Sequence, residues 1–346
     1  MKKMIALAMA AILSLSALSG CSDPAAGTTA AADGGTTAAA AAPEGKLTPS
    51  TTENITVRME TSATTSNNYV IFTGIGSLIS NAFENYNMSA EISDGSAETV
   101  RMMAGGDWNM GILTTYAEYM GYHGQEVYSD VTPETFNFIM GGYPLACHLI
   151  VPEDSDIQSF EDIKGKTVGV TMGNVDPDFK IALEAYGMSL EDVNIKELSA
   201  GDVSTGLSDE TLDAGFMIYG LPGAPISELA VTKGIKLVGL SEEAVSAIHE
   251  KYPYYSAITI PSGTYEGVDQ DTGTYGSYMA VCGRTDLSED FVYDYVKYVC
   301  EHTEELKTIH AIAPEFCKEN ANIGACIPVH PGAAKYFDEV GIEYEK

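Results

Sequence analysis

Basic residues are scarce in this sequence. It holds 18 lysines and arginines against 49 aspartates and glutamates, and Arg58, Arg101 and Arg284 are its only arginines. A chain of that sign is a poor partner for a phosphate backbone or an anionic bilayer surface, so no nucleic-acid partner is expected. Catalytic signatures are missing as well. GxSxG, HExxH and GxxxxGK[S/T] do not occur, which removes the usual warrants for a serine hydrolase, a zinc peptidase or a P-loop nucleotide site. "TGIGSLIS" has two glycines of a dinucleotide fingerprint but Ile79 where the third belongs. "DQDTGTYGSYMA" opens like a calcium loop at Asp269 and Asp271, yet Ala280 stands in place of the bidentate glutamate. The six histidines form no pair at metal-ligand spacing, and the cysteines show no CxxC. Beyond the first 20 residues there is no run of roughly 18 apolar residues able to span a bilayer. These absences describe a protein that is not an enzyme and that has no cofactor and no metal site.

What is present begins at the amino terminus. Lys2 and Lys3 precede an apolar stretch, Met4 to Leu15, that is too short to span a membrane, and Leu18-Ser19-Gly20-Cys21 places small residues directly before a cysteine. This resembles a bacterial lipoprotein signal. The implied chemistry is cleavage after residue 20 and lipidation of Cys21, which anchors the protein on the extracytoplasmic (periplasmic or cell-surface) side of the membrane. Cleavage removes two lysines, leaving 16 basic against 49 acidic residues, a net charge near −33. Residues 21–53 are nearly all small or polar and read as a flexible tether.

Strand-length apolar runs alternate with helical periodicity along the rest of the chain, the pattern of βαβ packing around a mostly parallel sheet. "NITVRME" reads as a strand, and Ile71, Ile75, Leu78, Ile79 and Phe83 as one face of a helix. Ser96 reads as a helix cap, with Gly105 just past that helix, and "MGIL" and "FNFIMGGY" continue the series. A second series starts at "ACHLIVPED". It includes a helix opening at Asp176-Pro177 and closing at Gly187, then "VNIKEL", "LDAGFMIYG" and "IKLVGL". "TYGSYMAVCGR" is again strand-like, and the remainder is chiefly helical. If that strand returns to the first sheet, the chain forms two α/β lobes joined by two crossing strands, with residues 54–144 and 279–346 in lobe 1 and 145–278 in lobe 2. A ligand cleft follows between the lobes. Five cysteines remain after Cys21; Cys317 and Cys326 closing a small loop, and five unpaired thiols, are equally open.

At the carboxyl ends of the expected strands lie "METSATTSNNYVIF", "SDGSAETV", "ILTTYAEY", "VTMGNVDP" and "MIYGLPGAP", each rich in small polar residues. That is where ligands bind in open α/β sheets, and helix N-termini there present free amides suited to a carboxylate. Trp108, the only tryptophan, is expected beside this region.

"GSAETVRMMAGGDWNMGIL", "LPGAPISELAVTKGIKLVGL", "KYPYYSAITIPSGTY" and "IPVHPGAAKYFDEVGI", together with the lipobox, resemble the TAXI family, the extracytoplasmic solute-binding subunits of TRAP transporters. The resemblance runs from about residue 54 to 344 and implies a class II periplasmic-binding-protein fold. It further implies capture of a small carboxylate or amino acid, such as glutamate, glutamine or a dicarboxylate, and delivery to TRAP membrane subunits. Carried over to this chain, the implied ligand-binding residues are Thr61, Ser62, Thr64, Thr65 and Tyr69 in the first loop, Gly95 and Ser96, Thr114 and Thr115, Gly173 and Asn174, and Tyr219 and Gly220. The first loop departs from the family in having no glycine, and "TTY" stands where Gln-Ser-Asp is usual. A surface-anchored ligand sensor and an ABC-type binding protein are the alternative readings on the same fold.

Overall fold

The computed structural model describes residues 46–345 apart from Thr65. The lipidation expected at Cys21 lies outside the described residues. Elements alternate as the patterning predicts: β1 (Ile55–Glu60), α1 (Asn67–Ala82), β2 (Tyr86–Glu91), α2 (Ser96–Gly105), β3 (Met110–Thr114), α3 (Thr115–His123) and the long β4 (Phe136–Pro152). Then come β5 (Thr167–Thr171), α4 (Lys180–Ala185), β6 (Asn194–Leu198), α5 (Ala200–Ser208), β7 (Ala214–Tyr219), α6 (Ala224–Lys233), β8 (Ile235–Val238), α7 (Glu242–Lys251) and β9 (Ser256–Ile260). The long β10 (Thr272–Arg284) returns to the first part of the sheet and is followed by α8 (Glu289–Glu301), α9 (Thr303–Leu306) and α10 (Pro331–Val340).

Local chemistry explains the elements that frame the site. The Ser66 hydroxyl accepts from the Asn68 amide and starts α1. Ile71, Phe72, Ile75, Leu78 and Ile79 then recur every three or four residues and are all buried, each contributing roughly 2 kcal/mol of apolar burial. In α8, Val292, Val296 and Val299 are buried as their spacing predicts.

Five expectations need correction. Ser96 is the first helical residue of α2, not its cap; Gly95 caps it with φ +127, a backbone that suits only glycine, and makes no side-chain hydrogen bond. Gly105 is still helical, and Gly106 ends the helix in the left-handed region. Pro177 does not open an α-helix, because residues 175–179 form a wider π-turn and α4 begins only at Lys180. "FNFIMGGY" and "ACHLIVPED" are one strand, which continues through Pro144 opposite Tyr278, whose amide donates to the Thr115 hydroxyl instead of to the ladder, and β9 lies in a stretch read as loop.

The strand order is β2-β1-β3-β10-β4-β7-β5-β6, with β8 on β4 and β9 on β10. The strands β1, β2 and β3 are parallel, as are β5, β6 and β7. Between these two sets, β4 and β10 run side by side in opposite directions. The expected lobe boundaries at 144/145 and 278/279 therefore fall inside β4 and β10, at the level where their pairing register shifts.

Gly141 and Gly142 sit at that level and let the 316–323 segment lie against β4. A Cβ on Gly141 would overlap the backbone oxygen of Ile323, and one on Gly142 would strike the Phe316 ring. Gly141→Ala is expected to cost about 3 kcal/mol through overpacking against backbone, read as a lower urea midpoint at unchanged slope. An unaltered midpoint would show that the 316–323 segment does not pack there in solution.

Candidate functional site

Register places the two sets of strand ends face to face. At its carboxyl end β3 pairs Thr114 with Met279 and runs toward lower numbers of β10. At its own end β7 pairs Tyr219 with Ala146, which lies opposite Gly276, and runs toward higher numbers of β10. The carboxyl edges of the two halves thus approach each other along β10 and stop three residues apart, about 10 Å at the usual rise of a strand. Pro144, Leu145, Ser277 and Tyr278 form the floor of this gap.

In the first half, the Thr61 hydroxyl is spent on the Glu91 carbonyl at 3.1 Å. Ser62 adopts φ +66, and its amide donates to the Glu60 carboxylate. Thr64 is exposed, Tyr69 is half-buried on α1, and Thr65 lies outside the described residues. The Ser96 and Ala97 amides at the open end of α2 have no partner among the described residues, nor do the hydroxyls of Tyr69 and Ser96, whereas the Ser62 hydroxyl is directed at the Glu60 carboxylate. Thr114 caps α3 by accepting from the Ala117 amide. Thr115 is buried; its hydroxyl donates to the Tyr254 carbonyl at 2.6 Å and accepts from the Tyr278 amide at 3.2 Å. A residue with both roles filled internally shapes the gap rather than offering a free donor.

In the second half, the Gly173 amide donates to the Glu197 carboxylate at 2.8 Å, and the Asn174 side chain donates to the Thr171 hydroxyl at 2.6 Å. Tyr219 and Gly220 are half-buried at the end of β7, and the Tyr219 hydroxyl has no partner among the described residues. Gly220 lies against the Tyr143 ring.

Two residues that sequence reasoning passed over hold the site together. Tyr143, on the crossing strand, donates its hydroxyl to Asn68 at 2.7 Å, tying the floor to the start of α1, and burial pushes its pKa up to about 12. Glu60, fully buried at the end of β1, accepts from the Ser62 amide, the Ser93 hydroxyl and, at 3.1 Å, the Ile112 amide. Burial raises its pKa, and these donors pull it back. The one legible hint was an acid ending an otherwise apolar strand. Trp108 is not where it was expected. It is buried beyond the carboxyl end of α2, the far end from Ser96, so its emission is no direct reporter of the gap.

None of the arginines is available to the gap. Arg58 pairs with Glu91, Arg101 with Asp130 and Arg284 with Asp286, at 2.9, 2.9 and 2.7 Å. Lys180 pairs with Asp176. These four cations are thus all ion-paired, and the donors found at the gap are amides and hydroxyls. A cavity of about 480 Å³ opens beside the floor, lined by Tyr143, Pro144, Leu221, Pro222 and Pro261 among others. Among the described residues, no group of three or more His, Cys, Asp or Glu side chains is arranged to hold a metal ion, and no helix is long and apolar enough to cross a membrane. Cys147, Cys282, Cys300, Cys317 and Cys326 are all free thiols, so Cys317 and Cys326 do not close a loop.

Two parallel-stranded halves meeting edge to edge across a pair of crossing strands define the class, a mixed α/β periplasmic-binding-protein fold. The chain belongs to the NMT1-like family, whose model matches residues 59–341. Its fold is similar to that of a putative sulfonate ABC transporter, periplasmic sulfonate-binding protein SsuA from Methylobacillus flagellatus, at 14% identity and a TM-score of 0.50 over 84% of this chain and 96% of that one. It is also similar to the periplasmic aliphatic sulphonate binding protein SsuA from Escherichia coli, at 14% identity and a TM-score of 0.46 over 82% of each chain. A third likeness is to the second substrate binding domain of a putative amino acid ABC transporter from Streptococcus pneumoniae, at 16% identity and a TM-score of 0.40 over 73% of this chain and 96% of that one.

Proposed function

We propose that this protein is an extracytoplasmic solute-binding subunit of the TRAP type, tethered to the membrane by a lipid on Cys21. It captures a small carboxylate, glutamate, glutamine or a dicarboxylate among them, and passes it to membrane subunits without changing it covalently. The observation that carries this reading is the pair of strand-end edges facing each other across about 10 Å, a gap of the size of a short dicarboxylate. Residues 54–144 with 279–346 and residues 145–278 act as lobes that hinge within β4 and β10 and close on the ligand. Ser62, Thr64, Thr65, Tyr69, Gly95, Ser96 and Thr114 on one side, and Asn174, Tyr219 and Gly220 on the other, supply contacts, while Thr61, Thr115 and Gly173 shape the loops. An ABC-type binding protein for a sulfonate is the second reading, favoured by the likeness to the Methylobacillus protein.

Isothermal titration with L-glutamate, L-glutamine, 2-oxoglutarate, succinate and taurine separates these readings. Binding of one of the carboxylates in the micromolar range or tighter is expected. A response to taurine alone would replace the carboxylate reading with the sulfonate one, and silence from all five would remove both ligand classes. Because the donors are uncharged and the protein carries a large negative charge, affinity is expected to change less than about twofold between roughly 0.05 and 0.5 M salt. A steep decline with salt would mean that a cation holds the ligand.

A further inference from the structure

A chain of buried polar groups runs from the crossing strand to the second half of the site. His148, on β4, is 1% exposed, and its Nδ1 lies 2.8 Å from the Ala146 carbonyl. A carbonyl only accepts, so Nδ1 carries the proton and Nε2 is left as an acceptor. The Tyr265 hydroxyl, 2.9 Å away, donates to it. The oxygen of that hydroxyl in turn accepts the Gly223 amide at 2.9 Å. Gly223 begins α6 and packs so closely on Tyr219 that a Cβ there would lie 2.8 Å from the Tyr219 Cβ. With Nδ1 protonated, the Tyr265 hydroxyl donates to Nε2 and accepts from Gly223, and the Met217 carbonyl is a second acceptor beside the imidazole.

We infer that His148 and Tyr265 are positioning residues, holding the loop from Tyr219 to Gly223 in the geometry that receives the ligand. This rests on the reading that the end of β7 is part of the solute site. The surroundings support it. Tyr265 lies in an apolar core with Ile150, Met217 and Ile226, where side chains of similar volume without polar atoms would pack as well, so the hydrogen bonds contribute direction more than net stability. Burial pushes the His148 pKa down to about 4, which keeps the imidazole in the neutral form that the chain requires.

The test pairs hydrogen exchange, read by mass spectrometry on peptides spanning 219–226, with titration of L-glutamate. Tyr265→Phe and His148→Leu are expected to speed exchange in that segment about tenfold or more, leave β5 and β6 unchanged, and weaken glutamate binding about tenfold. His148→Gln, whose side-chain oxygen reaches the position of Nε2, should stay within about threefold of the unmodified protein in both readouts. Unchanged exchange in Tyr265→Phe overturns the proposal, and so does a released loop with undiminished glutamate affinity. If the unmodified protein binds no glutamate, the affinity readout is taken with whichever of glutamine, 2-oxoglutarate, succinate and taurine it does bind; if it binds none of them, the solute reading is what fails, and the exchange measurement alone decides whether the chain anchors the loop.

Discussion

Glu60→Leu should abolish solute binding and lower stability by about 3 kcal/mol, from three buried donors losing their acceptor, less the relief of a desolvated charge. Glu60 is the last residue of β1, and its two oxygens serve three separate segments: the loop into α1 through the Ser62 amide, the loop into α2 through the Ser93 hydroxyl, and β3 through the Ile112 amide. The first two are the segments that line the first half of the gap. Without the carboxylate, nothing compensates Ser62 for its left-handed backbone at φ +66, and the loop relaxes away from the ligand. Glu60→Gln keeps the shape but turns one acceptor into a donor, so it should lose about tenfold or more in affinity while folding normally. Urea denaturation and glutamate titration of both variants provide the check. Unimpaired binding by Glu60→Leu would mean that the loops hold their form without it.

Glu118 governs the second large effect, a fall of stability with rising pH. It lies on α3, fully buried; one oxygen accepts weakly from the Cys326 amide at 3.4 Å, and the other has no partner among the described residues. The thiols of Cys326 and Cys282 face it, and among the described residues no cation does. Burial pushes its pKa up to about 8 from an ordinary value near 4.5. Between these values the folded protein holds a proton that the unfolded chain has released. This contribution to stability is therefore fully present below about pH 4.5 and is lost as pH rises through about 8, at about 1.4 kcal/mol per unit and roughly 5 kcal/mol in all. Asp178, pushed up to about 6 by burial, adds a slope of the same sign at lower pH, whereas His148 and His330, both near 4, oppose it below about 6.5. Glu118→Gln imitates the protonated acid and should flatten the decline between pH 6 and 9. Parallel curves of unfolding free energy against pH for the two proteins would show that Glu118 ionises freely in the fold.

Much of the architecture was legible because it rests on short-range rules. The burial of Ile71, Ile75, Leu78 and Ile79 follows from helical spacing, and the strands of both halves from apolar runs bounded by glycine and polar turns. The position of the loops at strand carboxyl ends follows from βαβ connectivity. Element boundaries went astray where the backbone did something a pattern does not encode: the π-turn at 175–179, the glycine cap before Ser96, and the passage of β4 through Pro144.

The sequence by itself determined that the chain alternates strands and helices, carries a strong negative charge and places hydroxyl-rich loops after its strands, since periodicity, charge and turn chemistry are local properties. Only the tertiary structure decided which of those groups remain free. Thr115 looks like a ligand-binding threonine until Tyr254, 139 residues away, takes its hydroxyl, and Glu60 looks unremarkable until Ile112, 52 residues away, donates to it. A hydrogen bond is spent on whatever the fold brings within about 3 Å, and that proximity is a property of the packed chain as a whole.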